Sequence, residues 1–152
     1  NPIFFLLDEF ANIGRLPSFE TIITTIRKRE CSISIVLQDL AQLEQVYNRQ
    51  VATIISSNCL SQLYLGGGLS YETCKKLEGV LGQATVEFSE TGFSKQNQTT
   101  PERERYIGRA LLTADEIRTL PRNKGLFLFG NMHPTIVRLK PYYKQYRWRK
   151  IK

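Results

Sequence analysis

Apolar positions follow two different rhythms along the chain. Residues 3–7, Ile-Phe-Phe-Leu-Leu, form an unbroken apolar run that stops at Asp8-Glu9. A run without polar alternation suits a strand covered on both faces, as in a parallel sheet. A loop with Gly14 and Pro17 follows, the proline placed where a helix start does not need its missing N–H. Phe19, Ile22, Ile23 and Ile26 then recur at helical spacing, and Arg27-Lys28-Arg29 close that helix at its negative end. Residues 33–37 read as a second buried strand. Leu40, Leu43 and Tyr47 predict a short helix after it, and Val51, Ile54 and Ile55 another, ending near Asn58. Residues 60–65 are a third strand, stopped by Gly66-Gly67-Gly68. Ser70 suits the N-cap of a helix that carries Cys74, Leu77 and Leu81 and ends at Gly82. Strands alternating with helices in this way predict a three-layer α/β domain with a mostly parallel sheet flanked by helices.

The second half is patterned differently. Residues 85–88 suit a short further strand. Residues 89–105 are rich in Ser, Thr, Gln, Asn, Lys and Glu, which predicts a mobile loop or a long exposed hairpin. Thr113, with Glu116 three residues later, is a capping box for a helix over 114–120 that Pro121 stops. Residues 126–129 and 135–139 form a C-terminal β-hairpin through Asn131-Met132-His133-Pro134. Residues 141–152 are a basic aromatic tail.

Composition narrows the class. With 152 residues, 41% apolar and 23% charged, the chain can build one hydrophobic core of ordinary globular type. No stretch approaches the roughly 18 unbroken apolar residues of a membrane helix, and no secretory signal is present. A first residue Asn1, directly before an apolar strand, reads as an excised piece of something longer. Cys31, Cys59, Cys74 and His133 are widely spaced and include no CxxC pair, so no zinc site is expected. Reduced, buried thiols in a cytosolic domain are expected instead. The net charge is +7, and it is uneven: after Glu116 no acid follows, while ten Lys or Arg do. A basic end of this kind favours phosphates, anionic lipid or an acidic partner.

An apolar strand ending in Asp-Glu is the Walker B pattern. The strand's carboxyl end opens onto the crevice where α/β sheets bind ligands. There the first acid can organise Mg²⁺ and the second can orient or deprotonate an attacking water. As a bare pattern it is more often a strand end with two solvated acids. Here it has company. Leu7-Asp8-Glu9-Phe10-Ala11-Asn12-Ile13-Gly14-Arg15-Leu16-Pro17 resembles the Walker B region of TraG/TraD-type coupling proteins, the ATPases of conjugative type IV secretion. Leu37-Gln38-Asp39-Leu40-Ala41-Gln42-Leu43 is similar to that family's strand-end glutamine and the following helix. Arg109-Ala110-Leu111-Leu112-Thr113-Ala114-Asp115-Glu116-Ile117 is similar to its R-x-L-[LM]-[ST]-x-[DE]-E stretch. The three blocks keep the family's order and cover most of residues 1–120.

The resemblance implies a RecA-like (P-loop NTPase) partial domain, with residues 1–152 as the C-terminal half of a motor domain. Asp8 would organise Mg²⁺ with ATP in the parent protein, Glu9 would be the catalytic carboxylate, and Gln38 the polar sensor of the γ-phosphate or its attacking water. Arg27, or its neighbour Arg29, would reach an adjacent subunit's nucleotide as an arginine finger. The bland alternatives are a helix-capping strand-end amide for Gln38 and a solvated charge at a helix end for Arg27. No G-x-x-x-x-G-K-[ST] occurs, and Gly66-Gly67-Gly68 lacks the lysine, so it reads as a turn. By itself the chain is therefore expected neither to hold ATP tightly nor to hydrolyse it. The resemblance further implies relaxosome proteins and relaxase, single-stranded DNA and the secretion channel as partners. It implies a hexameric parent, and a cytoplasmic portion of a membrane-anchored bacterial protein; this chain alone would be a monomer or a dimer. Tyr142, Tyr143, Tyr146 and Trp148, interleaved with Lys144, Arg147, Arg149 and Lys150, suit single-stranded nucleic acid, or equally a terminal segment packed on the sheet. Two rival readings stay open: a non-catalytic docking module for relaxosome protein or DNA, and a different RecA-like translocase or helicase.

Overall fold

The computed structural model describes residues 2–90 and 103–144, with side chains throughout except at 27, 88–90 and 103–105. β1 (Ile3–Leu7) lies parallel to β2 (Cys31–Ile35), in register from Ile3 opposite Cys31 to Leu7 opposite Ile35. The crossover between them holds a 3-10 turn (Phe10–Ile13), α1 (Phe19–Thr25) and a second 3-10 turn (Ile26–Arg29). α2 (Leu40–Tyr47) and α3 (Arg49–Asn58) come next. Their apolar faces close a first core of Phe10, Phe19, Leu43, Tyr47, Ala52 and Ile55, against which Leu7, Ile33, Ile35 and Leu37 pack. The Phe10 and Tyr47 rings stack at 5.8 Å, and the buried Tyr47 hydroxyl accepts the Leu16 N–H at 3.0 Å, which meets its need for a partner.

A second core forms around α4 (Tyr71–Leu81) and α5 (Ala114–Arg118), with Cys74, Leu77, Leu81, Ala114, Ile117 and Leu126 buried. It sits on an antiparallel sheet of β3 (Ser61–Leu65), β6 (Lys124–Phe129) and β7 (Thr135–Arg138). β4 (Gln83–Glu90) and β5 (Arg103–Ala110) pair only with each other, as an eight-residue ribbon. Among the described residues no helix is long and apolar enough to cross a membrane.

The α/β class, the helix order and the C-terminal hairpin agree with the sequence. The described strands do not share one sheet, however: the third strand pairs antiparallel with β6, in a sheet separate from the parallel β1–β2 pair. Gly66 explains part of that choice. Its N–H donates to the Lys124 carbonyl at 2.9 Å, and a Cβ there would meet the Pro121 carbonyl oxygen at 2.4 Å, so only glycine lets the two chains approach. The expected cover over both faces of β1 is also missing. Phe4 is 64% exposed and Leu6 62%, on the face they share with Ser32 and Ser34 of β2. Of the 89–105 segment, residues 89–90 end β4 and residues 103–105 begin β5, which pairs with it; residues 91–102 lie outside the described residues. Only Cys74 of the three free thiols is buried, with Cys31 and Cys59 half-buried. Of the tail, Tyr142–Lys144 is a 3-10 turn, and Tyr146, Arg147, Trp148, Arg149 and Lys150 lie outside the described residues.

Candidate active site at the carboxyl edge of the parallel pair

β1 and β2 end side by side. The Leu7 carbonyl accepts the Val36 N–H at 2.9 Å, and the Phe10 N–H donates to the Val36 carbonyl at 3.1 Å. Asp8 and Glu9 therefore fill a tight turn around Val36, and Gln38 leaves the same edge two residues later. All three side chains are exposed to solvent, so the parallel register brings them to one accessible rim. Within the turn, Asp8 Oδ1 accepts the Glu9 N–H at 3.0 Å. Glu9 adopts φ 46°, ψ 45°, a left-handed backbone that an L-residue occupies at a cost of about 1–3 kcal/mol. That twist turns its carboxylate toward Asn12, whose Nδ2 donates to Oε2 at 2.7 Å. Beyond the end of β2, Gln42 of α2 donates its Nε2 hydrogen to Gln38 Oε1, and Gln42 Oε1 accepts the Gln38 N–H, both at 3.3 Å. With its carbonyl engaged, Gln38 presents its NH₂ outward as a donor.

Asp39 holds this corner to the rest of the molecule. It caps α2, accepting the Ala41 N–H at 2.9 Å, and also accepts the Ser70 N–H and the Thr73 hydroxyl, each at 3.1 Å. Partial burial alone would raise its carboxyl pKa; the hydrogen bonds from Ala41, Ser70 and Thr73 together outweigh that and hold it below the ordinary 3.8. Sequence reasoning missed Asn12, Asp39 and Gln42 as members of the site. The signals were present: Asp39 stands directly before Leu40, where N-caps belong, and Gln42 lies one helical turn beyond Gln38.

Arg27 and Arg29 are not brought to this rim. Their 3-10 turn leads into Cys31, opposite Ile3, and the Ile3 N–H donates to the Glu30 carbonyl at 3.4 Å. They thus sit at the amino edge, about 17 Å of strand away from Asp8. The side chain of Arg27 lies outside the described residues. Gly66-Gly67-Gly68, packed on the 120–124 turn, is a structural crossing point. A cavity of about 860 Å³ also lies elsewhere, between α3, α4 and the turn after β6. Its walls mix apolar side chains with a partly exposed Lys76–Glu44 ion pair, which makes it a seam between the two cores. Among the described residues no cluster of three His, Cys, Asp or Glu side chains is placed to hold a metal. Mg²⁺ does not need one, because it is commonly held by one or two carboxylates, waters and substrate phosphates. Exposed Asp8, with one oxygen on the Glu9 N–H and the other free, fits that donor set.

Comparison with known proteins places this chain in a family. The model described as the TraM recognition site of TraD and TraG matches residues 2–122. VirD4 of Agrobacterium fabrum strain C58 is 26% identical over 98% of the chain, and VirD4 of Rhizobium rhizogenes 25% identical over 98%. The chain spans about a fifth of those relatives, 22% of the length of each. The bacterial conjugative coupling protein TrwB, lacking its first 70 residues, superposes with a TM-score of 0.74 at 22% identity, over 92% of this chain and 32% of that one. A structure of TrwB with ADP and Mg²⁺ superposes with a TM-score of 0.71 at 24% identity, again over 92% of this chain and 31% of that one. The chain accordingly shares the fold of the matched part of TrwB. By the match over residues 2–122, the chain belongs to the family of the TraM recognition site of TraD and TraG.

Proposed function

We propose that this chain is the C-terminal half of the motor domain of a conjugative coupling protein and supplies the Asp8–Glu9–Gln38 rim of its ATPase site. The observation that carries this reading is the shared carboxyl edge, where two exposed acids and one exposed amide leave adjacent parallel strands. Asp8 would hold Mg²⁺ through its free oxygen. When bound, that ion neutralises charge on the nucleotide's phosphates. Glu9, aimed by Asn12, takes a proton from the attacking water. Gln38, oriented by Gln42, donates its NH₂ to the γ-phosphate or that water. The charge cradle for the phosphates comes from chain outside these residues, so this piece alone turns over no ATP. Arg27 or Arg29, at the opposite edge, acts on a neighbouring subunit's nucleotide in a hexameric ring. The whole protein, membrane-anchored with this part in the cytoplasm, would link relaxosome and relaxase to the secretion channel and drive single-stranded DNA through it.

A docking role is favoured by a different observation, the β4–β5 ribbon, which pairs only with itself and exposes Tyr106 and Ile107. The family's description as a recognition site points the same way. Plasmid transfer between mating cells separates the two readings. With Glu9→Gln as the sole copy of the full-length protein, transfer falls by about 100-fold or more if the rim does chemistry. Transfer at the wild-type level would leave the chain a docking module.

A further inference from the structure

The two cores meet largely through polar contacts. Across the gap between α2 and α4, Asp39 Oδ1 accepts the Thr73 hydroxyl and Oδ2 accepts the Ser70 N–H. Lys76 pairs with Glu44 nearby, and much of the remaining seam is the open cavity of about 860 Å³. Thr73 is unusual in two ways. It is the buried polar side chain among the described residues, at 2% exposure. Its hydroxyl also bonds outside its own helix: Thr73 stands in the first turn of α4, where no carbonyl of that helix lies one turn behind it. Thr24, Thr25, Thr53 and Thr119 all donate to a carbonyl of their own helix, one turn back. Thr73 instead reaches a carboxylate 34 residues away, on the other core.

The receiving residue is well placed to transmit position. Asp39 is bonded directly to Gln38, and its Oδ1 also fixes the first turn of α2 through the Ala41 N–H. That turn presents Gln42, which holds the Gln38 amide. On the other side, α4 runs through Gly82 into the β4–β5 ribbon, where the Leu111 N–H returns to the Gly82 carbonyl, and it packs on α5. With both oxygens of Asp39 tied to the start of α4, a displacement of α4 carries the 38–42 corner with it. The Lys76–Glu44 pair is partly exposed and exerts a weaker hold.

We propose that Thr73 and Asp39 are positioning residues that tie the orientation of Gln38 to the position of α4, so that turnover at the Asp8–Glu9 rim depends on what α4 and the ribbon contact. This rests on the ATPase reading above. The test is phosphate release by the full-length protein with Mg²⁺-ATP, comparing Thr73→Val, Thr73→Ser, Lys76→Ala and Glu9→Gln. Thr73→Val keeps the shape and loses the hydroxyl; kcat falls about tenfold with KM unchanged, the pattern of a contact that matters only in the transition state. Thr73→Ser restores kcat to within about twofold, and Lys76→Ala leaves it unaltered. Should Thr73→Val not fold, Thr73→Ala carries the same expectation. Wild-type kcat in the hydroxyl-free variant overturns the coupling, as does a Ser variant as impaired as Val with its melting temperature falling in parallel. Wild-type turnover by Glu9→Gln would instead sink the ATPase reading itself, a separate and recognisable failure.

Discussion

Asp39 gathers three donors onto one carboxylate, and two testable consequences belong to that residue. Replacing it with alanine removes a helix cap and leaves the Thr73 hydroxyl buried without its acceptor, a loss of about 1–3 kcal/mol in urea or thermal melts. Its folded-state pKa lies below the ordinary 3.8, so the ionised form is favoured by folding. The contribution is therefore complete above that value and disappears as pH falls through the lower folded value. Wild type and Asp39→Asn should differ in stability at pH 6 and converge as the solution is acidified further below 3.8. At Glu9 the expectation is reversed: its carboxylate is exposed and accepts from Asn12, and its backbone is held at positive φ. Glu9→Gly should leave the chain as stable as wild type or more so, because glycine relieves the left-handed strain, while removing the carboxylate proposed as proton acceptor. That Asp8 and Glu9 stand at a strand end was legible in the sequence, because an apolar run closing on two acids is a local pattern; Gln38 was singled out only through the family resemblance. The Asp39–Thr73 bond was not legible, because no local spacing links residues so far apart.

Among the elements, the best-read ones were those with a local grammar. Ser70 and Gly82 bound α4 as the pattern predicts, and Thr113 and Glu116 form the full capping box, with Glu116 Oε2 accepting the Thr113 N–H at 2.8 Å. Thr113→Ala should cost about 1 kcal/mol, read from thermal melts. The α5 helix ends at Arg118 and not at 120, because Pro121 has no N–H to continue it and disfavours helical backbone at the residue before it. Strand partners were the poorly read feature. An apolar run such as 60–65 says that a strand is buried, yet nothing in it names the neighbour. The pairing with β6 is fixed by Gly66, whose missing Cβ admits the Pro121, Leu120 and Lys124 carbonyls. Gly66→Ala should therefore destabilise by about 1–3 kcal/mol through overpacking. Gly68→Ala, with open space around its Cβ position, should not; denaturant melts of the two variants compare them.

For the molecule as a whole, the largest departure from expectation is the bare face of β1. Two large apolar side chains, Phe4 and Leu6, stand in solvent on a strand whose sequence reads as covered on both sides. By itself the chain should self-associate with rising concentration, and Phe4→Lys with Leu6→Lys should suppress this in analytical ultracentrifugation. The same strand sets the direction of the whole account, because it carries Asp8 and Glu9 to the rim beside Gln38. The most direct test is a cryo-electron microscopy structure of the full-length protein with a non-hydrolysable ATP analogue and Mg²⁺. The metal should lie within about 5 Å of the Asp8 carboxylate, directly or through one water, with the γ-phosphate facing Glu9 and Gln38. A nucleotide seated away from the carboxyl edge of β1 and β2, on Gly66-Gly67-Gly68 or in the seam beside Lys76, would contradict it.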